Sequence, residues 1–286
     1  MMMAIRSLAV ATAIGAGACS VDHTVTASHA IVGGGPSDPN EFPATGMLVV
    51  GDRLQCTATL IAPDVALTAA HCLHQPVFGK LAFTLDTDAS DGTADVIPIA
   101  LFHPHPDFDE GVDAFLDLAV RNDIGILILE RPVPDVVPER VDTPLLETAI
   151  DAGDPLALCG YGWTFWLNGS VAVKRDAEVF VDRAEDFEFS TTAVDPQPCV
   201  GDSGGPLFVD RPDGRRIVGV VSRAVGTSRM CDTGAIITRV APYAAWIAEA
   251  SRDRDRGCSA GGGGGSLLPL GGLWVLHIRR RRRTPR

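Results

Sequence analysis

Between Ile31 and about Ala250 the chain is a succession of short apolar runs cut apart by Gly, Pro and Asp, and this punctuation excludes most architectures. The runs Gly46 to Val50, Ala58 to Ile61, Ile124 to Leu129, Pro155 to Leu158, Arg216 to Val221 and Ala235 to Val240 are rich in Val, Ile, Leu and Thr. Strands this short, closely spaced and bounded by turn residues, predict an all-β barrel or sandwich. No repeat of fixed period is present, which disfavours a solenoid or propeller. One helix is expected, late in the chain around Pro242 to Ala250, where Tyr243, Trp246 and Ile247 recur at helical spacing. With 286 residues, 46% of them hydrophobic, the chain can bury the core of one large or two modest domains. Its formal net charge of -12 makes it a poor ligand for phosphate backbones, so no nucleic-acid partner is expected.

The two ends differ from this body. Arg6 followed by the apolar, small-residue stretch Ser7 to Ala18 has the layout of a secretory signal peptide, with Ala16-Gly17-Ala18 fitting the small-x-small cleavage rule. Cys19 follows directly, and acylation there is a second option, although the leucine usual three residues upstream is an alanine. At the other end, residues 253–266 form a Gly-rich linker with Cys258, and residues 267–286 combine an apolar run with the block Arg279 to Arg283. The apolar part, Leu267 to Ile278, is short of the roughly 20 residues that span a bilayer. Spacer, apolar segment and basic stop are the parts of a membrane anchor or a sorting signal. The tail resembles the cysteine-containing C-terminal sorting signals of myxobacterial surface proteins, which implies a secreted or cell-surface protein of a bacterium. A basic low-complexity tail with no role is the alternative. Removing the ends sharpens the charge: 17 basic and 35 acidic residues lie between Ile31 and Gly257.

Three segments carry chemistry. Thr68-Ala69-Ala70-His71-Cys72 ends in an imidazole, Asn122-Asp123-Ile124-Gly125 places an acid just before an apolar strand, and Cys199-Val200-Gly201-Asp202-Ser203-Gly204-Gly205-Pro206 sets a serine among glycines. Alone, each has an ordinary explanation: a satisfied core histidine, a strand-end cap, a tight turn. Together they supply a nucleophile, a base to take its proton, and an acid to hold that base in the right tautomer. Glycines around Ser203 leave backbone N–H groups free to converge on a developing oxyanion. The other six histidines sit in no comparable context and read as structural or surface residues.

On these segments the chain resembles the trypsin/chymotrypsin-family serine endopeptidases over roughly Ile31 to Ala250. The resemblance implies two antiparallel six-stranded β-barrels with the active site between them and a C-terminal helix. It implies His71 as general base, Asp123 as its orienting acid, Ser203 as nucleophile, and Gly201 with Ser203 as the oxyanion hole. Ile31-Val32-Gly33-Gly34 matches the family's mature N-terminus, which implies a short propeptide over 19–30, a protease domain over 31–252, and an activation pair between Ile31 and Asp202. The residue before Ile31 is Ala30, where many relatives have a basic one. Bridges Cys56 with Cys72 and Cys199 with Cys231 are implied, leaving Cys159 as a buried free thiol. The specificity pocket would be built from Gln197, Ser222, Ala224 and Ala235; no carboxylate stands at its base, so small or medium uncharged residues are expected before the cut bond. Arg223 and Tyr161 stand where relatives have tryptophan. The acidic stretch from Pro106 to Asp117 borders the cleft in relatives, and it reads either as a solvated loop or as an attractant for cationic substrate segments. No cofactor and no metal are expected, and the implied partners are protein or peptide substrates of a monomer, with membrane or cell-surface anchoring through the tail. A catalytically silent surface binding protein on the same fold is the alternative function.

Overall fold

A computed structural model describes residues 31–255 except 52, 75–79, 110, 112–117, 146–148, 164–171 and 227–230. The expected signal peptide, propeptide, most of the linker including Cys258, and the tail lie outside the described residues.

Of the fourteen strands among the described residues, twelve form two closed six-stranded barrels, as the family resemblance implies. The first barrel holds β2 (Thr45–Val50), β3 (Arg53–Ala62), β4 (Val65–Thr68), β5 (Leu81–Thr84), β6 (Ile97–Pro104) and β7 (Gly125–Leu129), in the order β2-β3-β4-β7-β6-β5. The second closes through β9 (Pro155–Gly160), β10 (Arg175–Ala184), β11 (Glu188–Thr191), β14 (Ala235–Arg239), β13 (Arg216–Ala224) and β12 (Pro206–Val209), which returns to β9. All of these barrel pairings are antiparallel. The short β1 (Gly35–Pro36) pairs with β10, and β8 (Arg140–Val141) pairs with β13. Closure removes the sheet edges that an open array of such strands would expose.

Alternation fills the barrels. In β10 the inward Val179 and Val181 are buried between the outward Glu178, Phe180 and Asp182, whereas β7 is apolar throughout and buried along its length. One apolar cluster runs from Leu48, Leu60, Phe83 and Ile126 of the first barrel to Phe208, Ile217 and Val220 of the second. The two barrels therefore share one core, and their relative position depends on that packing. The C-terminal segment straps this junction. A turn of tighter helix at Ala241–Tyr243 leads into α2 (Ala244–Ala250), the expected helix, and Tyr243, Ile247 and Ala250 bury into the same cluster. A short helical turn, α1 (His71–His74), follows β4.

Two disulfides join Cys56 to Cys72 and Cys199 to Cys231, while Cys159 in β9 is a buried free thiol. No helix among the described residues is long and apolar enough to cross a membrane.

Replacing Ile247 by Ala removes an apolar plug from the shared core. Urea unfolding of the domain is expected to show a loss of about 2–5 kcal/mol.

Candidate active site

Strand register brings the first two candidate groups together. β4 and β7 pair with Thr68 opposite Gly125, so the residues just after β4 and just before β7 meet at one end of the barrel. Ala69 and Ala70 keep that end slim, and Leu73 of α1 packs so closely on Gly125 that a Cβ there would lie 2.7 Å from its side chain. The outcome is a double contact: the backbone N–H of His71 donates to Asp123 Oδ1 at 2.9 Å, and His71 Nδ1 lies 2.8 Å from Asp123 Oδ2.

A third donor reaches Asp123 from the other barrel. Ser222 Oγ donates to Asp123 Oδ2 at 2.6 Å. Ser222 sits where the pairing of β13 with β14 slips between Val221 and Arg223, a bulge that re-aims a side chain out of the regular alternation. Expected among the pocket residues, Ser222 thus turns its hydroxyl to the acid. Burial pushes the Asp123 carboxyl up, but the His71 charge and the hydrogen bonds from His71 and Ser222 outweigh it and hold the group below its ordinary range.

Ser203 occupies a half-buried turn that is bonded to both barrels. Its carbonyl accepts from Thr57 N–H of β3 at 2.8 Å, and the carbonyl of Gly201 accepts from Thr57 Oγ1 at 2.9 Å. On the other side Gly204 N–H donates to the Val221 carbonyl at 2.8 Å. Gly204 has φ +79, and a Cβ there would lie 2.1 Å from Thr68 Oγ1 and 2.4 Å from the Thr57 carbonyl, so only glycine allows this docking. Thr68 Oγ1 in turn donates to the Thr57 carbonyl at 2.9 Å. Thr57 therefore ties the serine turn to β4, the strand that leads into His71. Sequence reading missed it, because an isolated threonine in an apolar run carries no local signal.

Asp202 and Ile31 are both fully buried. Ile31 packs in the second barrel's core with Leu156, Leu158, Val181 and Leu207. Asp202 receives backbone N–H donors from Gly162 at 2.8 Å and Cys199 at 2.9 Å, and a Cβ at Gly162 would collide with its carboxylate. Burial outweighs those two donors and pushes its pKa up to about 7.

The pocket candidates gather at β13 and β14. Gln197 is buried and tied down at both ends of its amide: Nε2 donates to Asp195 Oδ1 at 3.2 Å, and Oε1 accepts from Gly234 N–H at 2.5 Å. Its backbone N–H donates to the Val32 carbonyl at 2.9 Å. Ala224 and Ala235 face each other in register, and Ala235 N–H donates to Thr191 Oγ1 at 2.9 Å.

Among the described residues one group has its His and Cys donor atoms close together, Cys56, His71 and Cys72. Both sulfurs are consumed by the disulfide, so the cluster offers no thiolate to a metal. Of the acidic stretch before Asp123, residues 110 and 112–117 lie outside the described residues; Asp109 and Asp107 accept at their carbonyls from Arg121 Nε at 2.6 Å and Asn122 Nδ2 at 2.8 Å.

Comparison with known proteins agrees with this arrangement. The family model described as Trypsin matches residues 31–247. Granzyme M of Homo sapiens is 30% identical over 240 residues, covering 76% of this chain and 87% of that protein. Serine protease 56 of Homo sapiens is 28% identical over 265 residues, covering 82% of this chain; the chain spans only 41% of that longer relative. The solved structure of neuropsin, a serine protease expressed in the limbic system of mouse brain, superposes with a TM-score of 0.61 at 21% identity, covering 76% of this chain and 98% of that one, and shares the fold. With its two closed barrels and a histidine, aspartate and serine turn gathered where they meet, the chain belongs to the trypsin family of serine proteases.

Proposed function

We propose that the protein is an exported serine endopeptidase that hydrolyses peptide bonds of protein or peptide substrates through an acyl-enzyme. The observation that carries this reading is the doubly bonded His71–Asp123 pair, fixed beside a serine turn that hydrogen-bonds to both barrels. In this reading Asp123 holds the Nδ1–H tautomer of His71, which leaves Nε2 to take the proton of Ser203 as its Oγ attacks the scissile carbonyl. The N–H groups of Gly201 and Ser203 receive the oxyanion, each worth roughly 3–4 kcal/mol in the transition state. His71 then gives its proton to the leaving amine, and water repeats the sequence on the acyl-enzyme.

The same reading makes the chain a zymogen. Cleavage before Ile31 would create an ammonium group able to pair with Asp202, which is buried with two backbone N–H donors. In the primary pocket, Gln197 offers no carboxylate to a basic side chain, and Ala224 with Ala235 narrows the walls, so small or medium uncharged residues fit before the cut bond. Export and surface retention rest on the two chain ends alone, residues 1–18 and 253–286.

Digestion of a peptide library by the processed protein tests the activity and the pocket together. Cleavage after residues such as Ala or Val is expected, and none by the Ser203→Ala variant; products dominated by Arg or Lys at that position would refute the pocket reading.

Before the activation pair forms, buried Asp202 has a pH signature. A carboxyl whose folded-state pKa lies above its unfolded one binds more protons when folded, so its contribution to stability falls as pH rises from the unfolded pKa to the folded one. For uncleaved Ser203→Ala precursor, stability is expected to fall as pH rises from about 4 to about 7. Adding Asp202→Asn should remove this part of the slope in denaturant titrations at each pH.

A further inference from the structure

Behind Asp123 lies an ion pair that the triad does not explain. Glu188 at the start of β11 and Arg223 of β13 are both buried, and they meet as a fork: Arg223 Nη1 donates to Glu188 Oε1 and Nη2 to Oε2, each at 2.8 Å. Glu188 Oε2 also accepts from Ala119 N–H at 2.9 Å, which ties the pair to the segment leading into Asp123. Arg223 does not stop at Glu188. Its Nη1 also reaches Ser222 Oγ at 3.2 Å, and that hydroxyl is the one that donates to Asp123 Oδ2 at 2.6 Å.

Hydrogen-bond polarity makes this chain directional. A guanidinium has donors and no acceptor, and an ionised carboxylate has acceptors and no donor. Ser222 stands between them with one proton. It must accept from Arg223, so its proton is left for Asp123 and the hydroxyl has no competing rotamer. A cationic donor on the oxygen further polarises the O–H toward the carboxylate. The ion pair itself gives little reason for its presence, since a buried pair costs several kcal/mol of desolvation per ion and an apolar substitute is often as stable.

Resting on the reading of His71, Asp123 and Ser203 as the catalytic triad, we propose that Arg223, clamped by Glu188, is a positioning residue that fixes the Ser222 hydroxyl as a donor to Asp123 and thereby holds the acid for His71. The groups facing this acid are His71 from α1, Ser222 from β13, Arg121 from its own segment and Tyr243 ahead of α2, with Glu188 and Arg223 beyond them. His71 itself faces Asp123 and the Cys72 sulfur of the disulfide, 3.7 Å from Nε2.

A mutant cycle on processed enzyme tests this, with kcat and KM measured against pH on a peptide substrate carrying Ala before the scissile bond. The paired replacement Glu188→Gln with Arg223→Met removes both charges at once, so no lone charge is buried. It is expected to lower kcat about tenfold, the worth of one well-made hydrogen bond to a charged group, with KM within about twofold. The acid limb of the profile should move to higher pH, because a less neutralised Asp123 holds the His71 imidazolium more tightly. Ser222→Ala should do the same, and adding it to the paired replacement should cost nothing further, since both act through one hydroxyl. If the paired variant does not fold, Arg223→Lys keeps the charge but loses the fork and should give the same lowered kcat, raised acid limb and unchanged KM. Losses that multiply when the changes are combined, an effect confined to KM, or an unmoved acid limb would overturn the proposal. Loss of reaction with an organophosphonate serine probe in the wild-type processed enzyme would instead overturn the triad reading beneath it.

Discussion

One buried carboxylate organises the cleft. Asp123 is withdrawn from water at the junction of the barrels, and a charge there survives only if its lone pairs are filled. Two donors come from His71 in the first barrel and one from Ser222 in the second. The acid is therefore satisfied only when the barrels are docked in one relative position. Thr57 makes the matching demand on the serine side, bonding through its backbone and hydroxyl to the carbonyls of Ser203 and Gly201. Apolar packing shared between the barrels supplies most of the attraction, while these few polar contacts select the register.

Asp202 presents the opposite situation. Its two backbone donors do not offset its burial, and its pKa is pushed up to about 7. A cation brought to such an acid would favour its charged form, whereas Asp123 already holds three donors. In the proposed mechanism the two carboxylates thus divide the work: Asp123 is a fixed scaffold for His71, and Asp202 is the partner for a new N-terminus.

Much of this was legible in the sequence, and the exceptions have physical reasons. The glycine-flanked Ser203, the slim approach to His71 and the acid just before an apolar strand are local signals, and β2, β7 and β13 announce themselves as apolar runs. β6 is harder to read because most of its residues are partly or fully exposed, so it shows no clear core face. β10 carries Glu178, Asp182 and Arg183 on its outer side, which masks the inward Val179 and Val181. The role of Ser222 depends on a bulge in the pairing of β13 with β14, and Thr57 depends on the docking of one barrel on the other. The fork between Arg223 and Glu188 joins residues far apart in the chain, where neither neighbourhood marks the other.

The proposed catalysis stands on Asp123 holding one tautomer of His71 in place. Its most direct test is the acylation rate of processed Asp123→Asn enzyme, compared with wild type at neutral pH after equal folding has been checked by circular dichroism. An amide there can no longer accept at both positions, and a fall of about 10⁴-fold is expected with the fold unchanged. Acylation within about tenfold of wild type would contradict it.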